Sequence, residues 1–268
     1  MSIVNAVCVQ EQVLEGGSLE EKWDLAQSWG FDGIELRGQG DGALSKRLPD
    51  LKRAVDAGVH MPTVCVEMSH FIGAFDDELR RDAVTQMSDQ LRVVAAIGGR
   101  GAMTPASWGM FSRRLPPFNP PRTPEEDTQV LVDSLGELGR VAEQEGVTVY
   151  LEPLNRYEDH MINTLGDAAR LIGLIGLDSV RIGADTYHMN IEEADPASAL
   201  MEAGPLIGHV QASDSNRLEP GAGHIDWALF GATVQAIGYT GPIAIESRLS
   251  GPAGEVLPAV PVLLRRYL

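Results

Sequence analysis

The stretch TPEEDTQVLVDSLGELGRVAEQEGVTVYLE, residues 123–152, reads as one complete unit of an alternating helix and strand repeat. Thr123 stands three residues before Glu126, the spacing at which a hydroxyl and a carboxylate satisfy exposed N–H groups as a capping box. Pro124 takes the first helical position, where its missing N–H is no loss. Leu131, Leu135, Leu138 and Ala142 then recur at helical spacing, so one face is apolar while Glu137, Arg140 and Glu143 face elsewhere. Gly146 suits the turn past the helix end, where positive φ would strain a residue with a Cβ. Val147–Leu151 is short and apolar on both faces, as a buried parallel strand is, and Glu152 follows it directly.

Outward from this unit the same rhythm recurs, a helix, a glycine and a β-branched run, at Gly30, Gly58, Gly98, Gly176, Gly204 and Gly238. Ser18 and Glu21 repeat the capping-box spacing. The apolar runs are Ile3–Val9, Gly33–Leu36, Thr63–Val66, Ala102–Thr104, Val147–Leu151, Val180–Gly183, Ile207–Val210 and Ile243–Ile245. Eight strands alternating with helices at a repeat of roughly 30 residues, in a chain near the usual length of about 250, predict an α/β protein with a single (β/α)8 TIM barrel over residues 1–268. The first and last units echo each other. Gly30-Phe31-Asp32-Gly33-Ile34-Glu35 and Gly238-Tyr239-Thr240-Gly241 share a glycine-aromatic-x-glycine turn before a strand carrying a glutamate, Glu35 or Glu246.

Composition narrows the partners. Of 268 residues 44% are hydrophobic and 22% charged, enough for one large core, and no low-complexity linker divides the chain. The balance of 21 Lys+Arg against 38 Asp+Glu gives a net charge of −17, which repels nucleic acid and anionic membranes. Cys8 and Cys65 both sit in apolar strand runs and read as buried free thiols. With no leader pattern at Met1-Ser2-Ile3-Val4 and no apolar run near the roughly 20 residues of a membrane span, the expected compartment is the cytoplasm. Neither a phosphate-binding G-x-x-x-x-G-K-[ST] nor a strand-linked G-x-G-x-x-G occurs, so no nucleotide cofactor is expected.

In a parallel barrel the strand ends supply catalytic groups on one face, so the polar residues just after apolar runs carry the chemistry. Glu152, Asp185, Gln211 and Glu246 end strands five to eight. Adjacent strands lie about 4.8 Å apart, so these oxygen donors can converge on one cation. Three carboxylates and a neutral ligand suit Mn²⁺ or Mg²⁺ better than a thiol-rich or histidine-rich zinc site. Any one of the carboxylates alone could be a helix cap or an ion-pair partner.

The segments Leu151-Glu152-Pro153-Leu154-Asn155-Arg156-Tyr157-Glu158, Asp185-Thr186-Tyr187-His188-Met189-Asn190, Gly208-His209-Val210-Gln211 with Asn216-Arg217, and Ile245-Glu246-Ser247 resemble the xylose isomerase-like sugar isomerase/epimerase family, its ketose 3-epimerases especially. The match spans the C-terminal half; Gly30–Leu36 is common across that superfamily. The resemblance implies a divalent metal, Mn²⁺ first, with Mg²⁺ or Co²⁺ as alternatives, on Glu152, Asp185, position 211 and Glu246. It implies Glu246 and Glu152 as base and acid in proton transfer through an enediolate, and substrate contacts from Glu158, His188 and Arg217. The family has histidine where this chain has Gln211. Hydroxypyruvate isomerase-like relatives place glutamine there, and an amide oxygen is a competent hard ligand; His209, a layer deeper, is the competing ligand. A small sugar-like substrate and a homo-oligomer fit such a protein.

The long irregular stretch from Pro105 to Arg122 holds Trp108, Phe111, Arg113, Arg114 and Phe118 on the expected active rim. Trp108 is a candidate substrate contact; the loop reads either as a lid or as a packing or subunit-contact segment. His224 and Asp226 read as structural, Asp226 as a helix cap; Glu67 and His70, at the end of the third strand, could reach the substrate but read first as structural. Beside the isomerase or epimerase stand a barrel kept only as a binding or scaffold module, disfavoured by the intact ligand set, and two catalytic alternatives. One is a lyase on the same scaffold, a dehydratase or a carbon-glycoside-cleaving subunit. The other is the DNA-cleaving branch of the superfamily, disfavoured by six histidines in all and by the negative charge.

Overall fold

A computed structural model describes residues 5–111 and 119–268. Eight parallel strands close into a barrel in chain order: β1 (Val7–Gln10), β2 (Gly33–Gln39), β3 (Thr63–Glu67), β4 (Gly101–Pro105), β5 (Thr148–Glu152), β6 (Val180–Asp185), β7 (Ile207–Ala212) and β8 (Ile243–Ile245). The outer ring comprises α1 (Leu19–Ser28), α2 (Leu48–Asp56), α3 (Asp77–Ala96), α4 (Pro124–Glu145), α5 (Leu165–Ile175), α6 (Pro196–Ala203), α7 (Trp227–Ala236) and α8 (Ala259–Arg265), with short helices among the loops. The closed topology and the fold class match the sequence expectation.

Local rules account for these elements. In α4 both halves of the box form: Glu126 N–H donates to Thr123 Oγ1 at 3.2 Å, and Thr123 N–H to Glu126 Oε2 at 2.8 Å. Its apolar stripe, Leu131, Leu135, Leu138 and Ala142, is fully buried. Gly146 ends the helix at φ 71°. At α1 the box is half made, since Glu21 N–H donates to Ser18 Oγ but the Glu21 carboxylate takes the N–H of Gly17 instead. Gly204 also departs from expectation: φ there is −30°, because α6 runs straight into a tight 3-10 turn before β7 instead of reversing through left-handed backbone.

Strand register positions the site. Asp185 and Gln211 are direct partners between β6 and β7, with a shift at Ile182 and Gly183 just below them. On β1, Val9 is paired with Ile34 on one side and Ile245 on the other. The echoing first and last units therefore deliver Glu35 and Glu246 from the two strands that flank β1. Both cysteines are free; Cys8 is buried as expected, but Cys65 is half-buried because β3 ends beside the open mouth.

Candidate active site

At the carboxyl ends of the strands lies a cavity of about 840 Å³, lined by Glu152, Glu158, His188, Arg217 and Glu246 on one side and by residues of the β2 and β3 ends on the other. Glu152 ends β5 and Asp185 ends β6, both buried. Asp185 also starts the next short helix, Thr186–Glu192, its Oδ1 accepting the N–H groups of Tyr187 at 2.7 Å and His188 at 3.1 Å. This cap turns His188 back toward Glu152. Ligand-bearing atoms of Glu152, Asp185 and His188 lie within 4.8 Å of one another.

His188 has a defined proton. Its Nδ1 accepts the Asn155 backbone N–H at 3.0 Å, so the neutral ring carries hydrogen on Nε2, which lies 3.6 Å from Glu152 Oε1. Burial holds its pKa below the ordinary value, against the pull of Asp185. The ring is a neutral donor aimed into the site.

Arg217 sits at φ 61°, in left-handed backbone that a side-chain-bearing residue seldom adopts. Asp214 fixes that turn: buried, it accepts N–H groups from Ser215, Gly221 and Ile225 and the Trp227 indole. The guanidinium stacks over Tyr187 at 4.9 Å and spans two carboxylates, Asp185 Oδ2 at 2.8 Å and Glu246 Oε2 at 2.7 Å. The residue expected to grip substrate is thus also the counter-ion of the acid cluster.

One guanidinium does not neutralise three carboxylates. Burial, then repulsion from Glu246 and Asp185, pushes Glu152 well above the ordinary carboxylate range. Burial raises Glu246 to about 7, with Arg217 opposing and Asp185 and Glu35 adding to the rise. Asp185 goes the other way: burial would raise it, but Arg217 and His188 outweigh that and hold it low.

Gln211 is fully buried, its Nε2 donating to Glu35 Oε2 at 2.7 Å while its Oε1 has no hydrogen-bond partner among the described residues. His209 lies a layer deeper, its Nε2 held by Glu35 Oε1 at 2.7 Å. Glu158 is pinned by the Trp108 indole N–H at 3.1 Å and by Asn155 Nδ2 at 2.9 Å. Trp108 itself is 58% exposed and lines the cavity. Arg113, Arg114 and Phe118 lie outside the described residues.

The structural readings of neighbouring residues follow the geometry. Asp226 caps α7 by accepting the Leu229 N–H at 2.9 Å, and His224 meets Ser215 Oγ at 2.8 Å. His70 pairs with Asp82 and Glu67 with Arg37, though Glu67 also reaches the cavity wall.

A model of the xylose isomerase-like TIM barrel family matches residues 23–266. The chain belongs to the xylose isomerase-like TIM barrel family. It is 40% identical over 241 residues to the 3-dehydro-D-guloside 4-epimerase of Escherichia coli (strain K12), covering 90% of this chain and 91% of that relative. It is 35% identical over 176 residues to the D-psicose 3-epimerase of Enterocloster bolteae, covering 64% of this chain and 56% of that one. The crystal structure of 3-keto-D-glucoside 4-epimerase from E. coli, in its apo form, matches with a TM-score of 0.92 at 38% identity, covering 98% of this chain and 100% of that chain. This member of the xylose isomerase-like family is an enzyme of the isomerase/epimerase class.

Two groups in this xylose isomerase-like barrel escaped the sequence reading. Asn155 orients both His188 and Glu158, and only its place in a matched segment hinted at a role. Glu35 is a fully buried carboxylate under the site. Its signal was the internal echo that set it in the same relation to its strand as Glu246.

Proposed function

We propose that this enzyme epimerises a carbohydrate bearing a ketone, with one divalent cation, Mn²⁺ before Mg²⁺ or Co²⁺, held by Glu152, Asp185, Gln211 and Glu246. The observation that carries this reading is the surplus of negative charge at the cavity floor, three carboxylates against the guanidinium of Arg217, with two of them raised by burial and mutual repulsion. The donor set fits a hard cation, all of it oxygen, and the buried Gln211 Oε1 has no hydrogen-bond partner among the described residues. When bound, such a cation polarises the ketone and steadies the charge left when a proton departs the neighbouring carbon.

The chain's own residues supply the rest. Glu246, half-exposed to the cavity and with a pKa near neutrality, accepts the substrate proton. Glu152 comes from β5, three strands away, and so reaches the reacting carbon from another direction to return a proton. A pair of carboxyl groups in different surroundings is what divides acid from base roles. His188 donates its Nε2 hydrogen to a substrate oxygen, while Glu158 and Arg217 bind hydroxyls. Trp108 offers its exposed indole as a platform for the sugar.

A cavity of about 840 Å³ is near the top of the roughly 300–1,000 Å³ range of small-molecule sites and leaves space for more than one sugar ring. A 3-keto glucoside is accordingly the first substrate to test. Purified enzyme stripped with a chelator should be inactive and should recover with Mn²⁺. Turnover in D₂O should place deuterium at the inverted carbon. Full activity after verified metal removal, or loss of water or an aglycone without epimer formation, would overturn the reading.

A further inference from the structure

Glu35 is 0% exposed and, among the described residues, pairs with no lysine or arginine, a costly position for a carboxylate unless hydrogen bonds replace the lost water. Four donors do so, from three strands. Gln211 Nε2 and Gln10 Nε2 reach Oε2 at 2.7 and 3.4 Å; His209 Nε2 and Thr63 Oγ1 reach Oε1 at 2.7 and 3.1 Å. Every one of these contacts uses Glu35 as acceptor.

An amide is the one candidate ligand in the set that can face either way. With Nε2 inward, Gln211 offers its oxygen to its neighbours; with Oε1 inward, it would offer hydrogens, which no cation binds. The reversed orientation would set an amide oxygen against a carboxylate oxygen at 2.7 Å, a contact between two acceptors. Asp185 is the direct strand partner of Gln211, so the two candidate ligands rise from neighbouring positions on β6 and β7.

We propose that Glu35 is a positioning residue: by accepting the Gln211 Nε2 hydrogen from below, it fixes the amide with its oxygen toward the cation site. This rests on the reading of Gln211 as a cation ligand. Glu35 touches neither substrate nor cation; it acts through Gln211, and His209 and Thr63 hold Glu35 in place. Partners that orient a ligand in this way typically contribute about 10- to 100-fold in metal affinity.

The test is calorimetric titration of Mn²⁺ into the full-length, chelator-stripped protein, with thermal melting of each metal-free variant alongside. E35Q should bind Mn²⁺ at least tenfold more weakly, because an amide at that position tolerates either orientation of Gln211. The double variant E35Q/Q211E exchanges donor and acceptor across the same hydrogen bond; it should bind Mn²⁺ more tightly than E35Q and at least tenfold more tightly than Q211E alone, which carries the same new carboxylate without its donor, a gain that a purely structural role for Glu35 would not give. Unchanged affinity in E35Q, or a double variant no tighter than E35Q, would overturn the proposal. If E35Q alone does not fold, the double variant measured against Q211E decides: equal affinity there sinks the idea. Q211A separates this from the underlying reading. Parent affinity in Q211A would remove Gln211 as a ligand, whereas weak binding in Q211A with full affinity in E35Q would remove the role of Glu35 alone.

Discussion

Glu246 carries the clearest consequence at the scale of a single side chain. Its pKa near 7 means that the cation-free site holds a proton there through the mildly acidic range, and a cation must displace it. Mn²⁺ affinity should therefore rise with pH through the mildly acidic range, by up to about tenfold per unit for each displaced proton, the raised Glu152 carboxyl adding to the rise. Titrations in buffers of different ionisation enthalpy will show whether a proton is released. Affinity that is flat from pH 5 to 8 would contradict it. E246Q keeps the shape of the side chain and removes the base, so turnover should fall by about 10²- to 10⁴-fold. Melting of E246Q should be little changed or improved, since one of three crowded carboxylates becomes neutral. The sequence displayed Glu246 openly, as a carboxylate at a strand end. It did not display the proton, which depends on burial and on the distance to Arg217, Asp185 and Glu35, residues far apart along the chain.

Elements differ in how much of their geometry is local. The α4 unit was legible to its boundaries because every determinant, Thr123, Pro124, Glu126, the leucine stripe and Gly146, lies within or beside it. T123A should cost about 1 kcal/mol in urea unfolding and leave kcat unchanged, because the Thr123 side chain bonds within its own cap and is not among the residues lining the cavity. The loop from Ser213 to Asp226 is the opposite case. Its shape is set by Asp214 drawing in donors up to 13 residues away, and no periodicity announces such a contact. Gly223 packs so closely on the Asp214 carboxylate and Ser215 hydroxyl that an added Cβ would collide with both. G223A should therefore shift the turn that holds Arg217 at positive φ. The expected result is a loss of kcat/KM of tenfold or more with a stability change of about 1–3 kcal/mol. Full activity in G223A would show that Arg217 is placed by its carboxylate partners alone. The half-made box at Ser18 departs from expectation within its own turn: local spacing allowed the box, but the preceding Gly17 N–H, four residues from Glu21, took the carboxylate.

Across the whole molecule, the barrel joins two kinds of order, and only one was written in the sequence pattern. Alternation of helix and strand fixed the sequence of elements, so the carbonyl-side ends of β5 to β8 had to meet at one rim. Closure between β1 and β8 is what adds Glu35 beneath them, and closure is a property of all eight strands together. The cost of the assembled acid cluster is also global. Raised carboxylates such as Glu152 and Glu246 bind protons more tightly in the folded than in the unfolded chain, so their contribution to stability is greatest below the unfolded carboxylate value near 4.5 and is lost as pH rises through the folded value, about 7 for Glu246. A cation that binds only the folded barrel adds stability in the same range, about 2.7 kcal/mol at a hundredfold excess over its Kd. The Tm difference between Mn²⁺-loaded and stripped protein should thus widen from pH 5 to pH 8, reading the charge balance of the site without any assay of turnover. A difference that stays constant or narrows over that range would mean that the cluster is already neutralised in the free protein by Arg217, leaving no charge for a cation to offset.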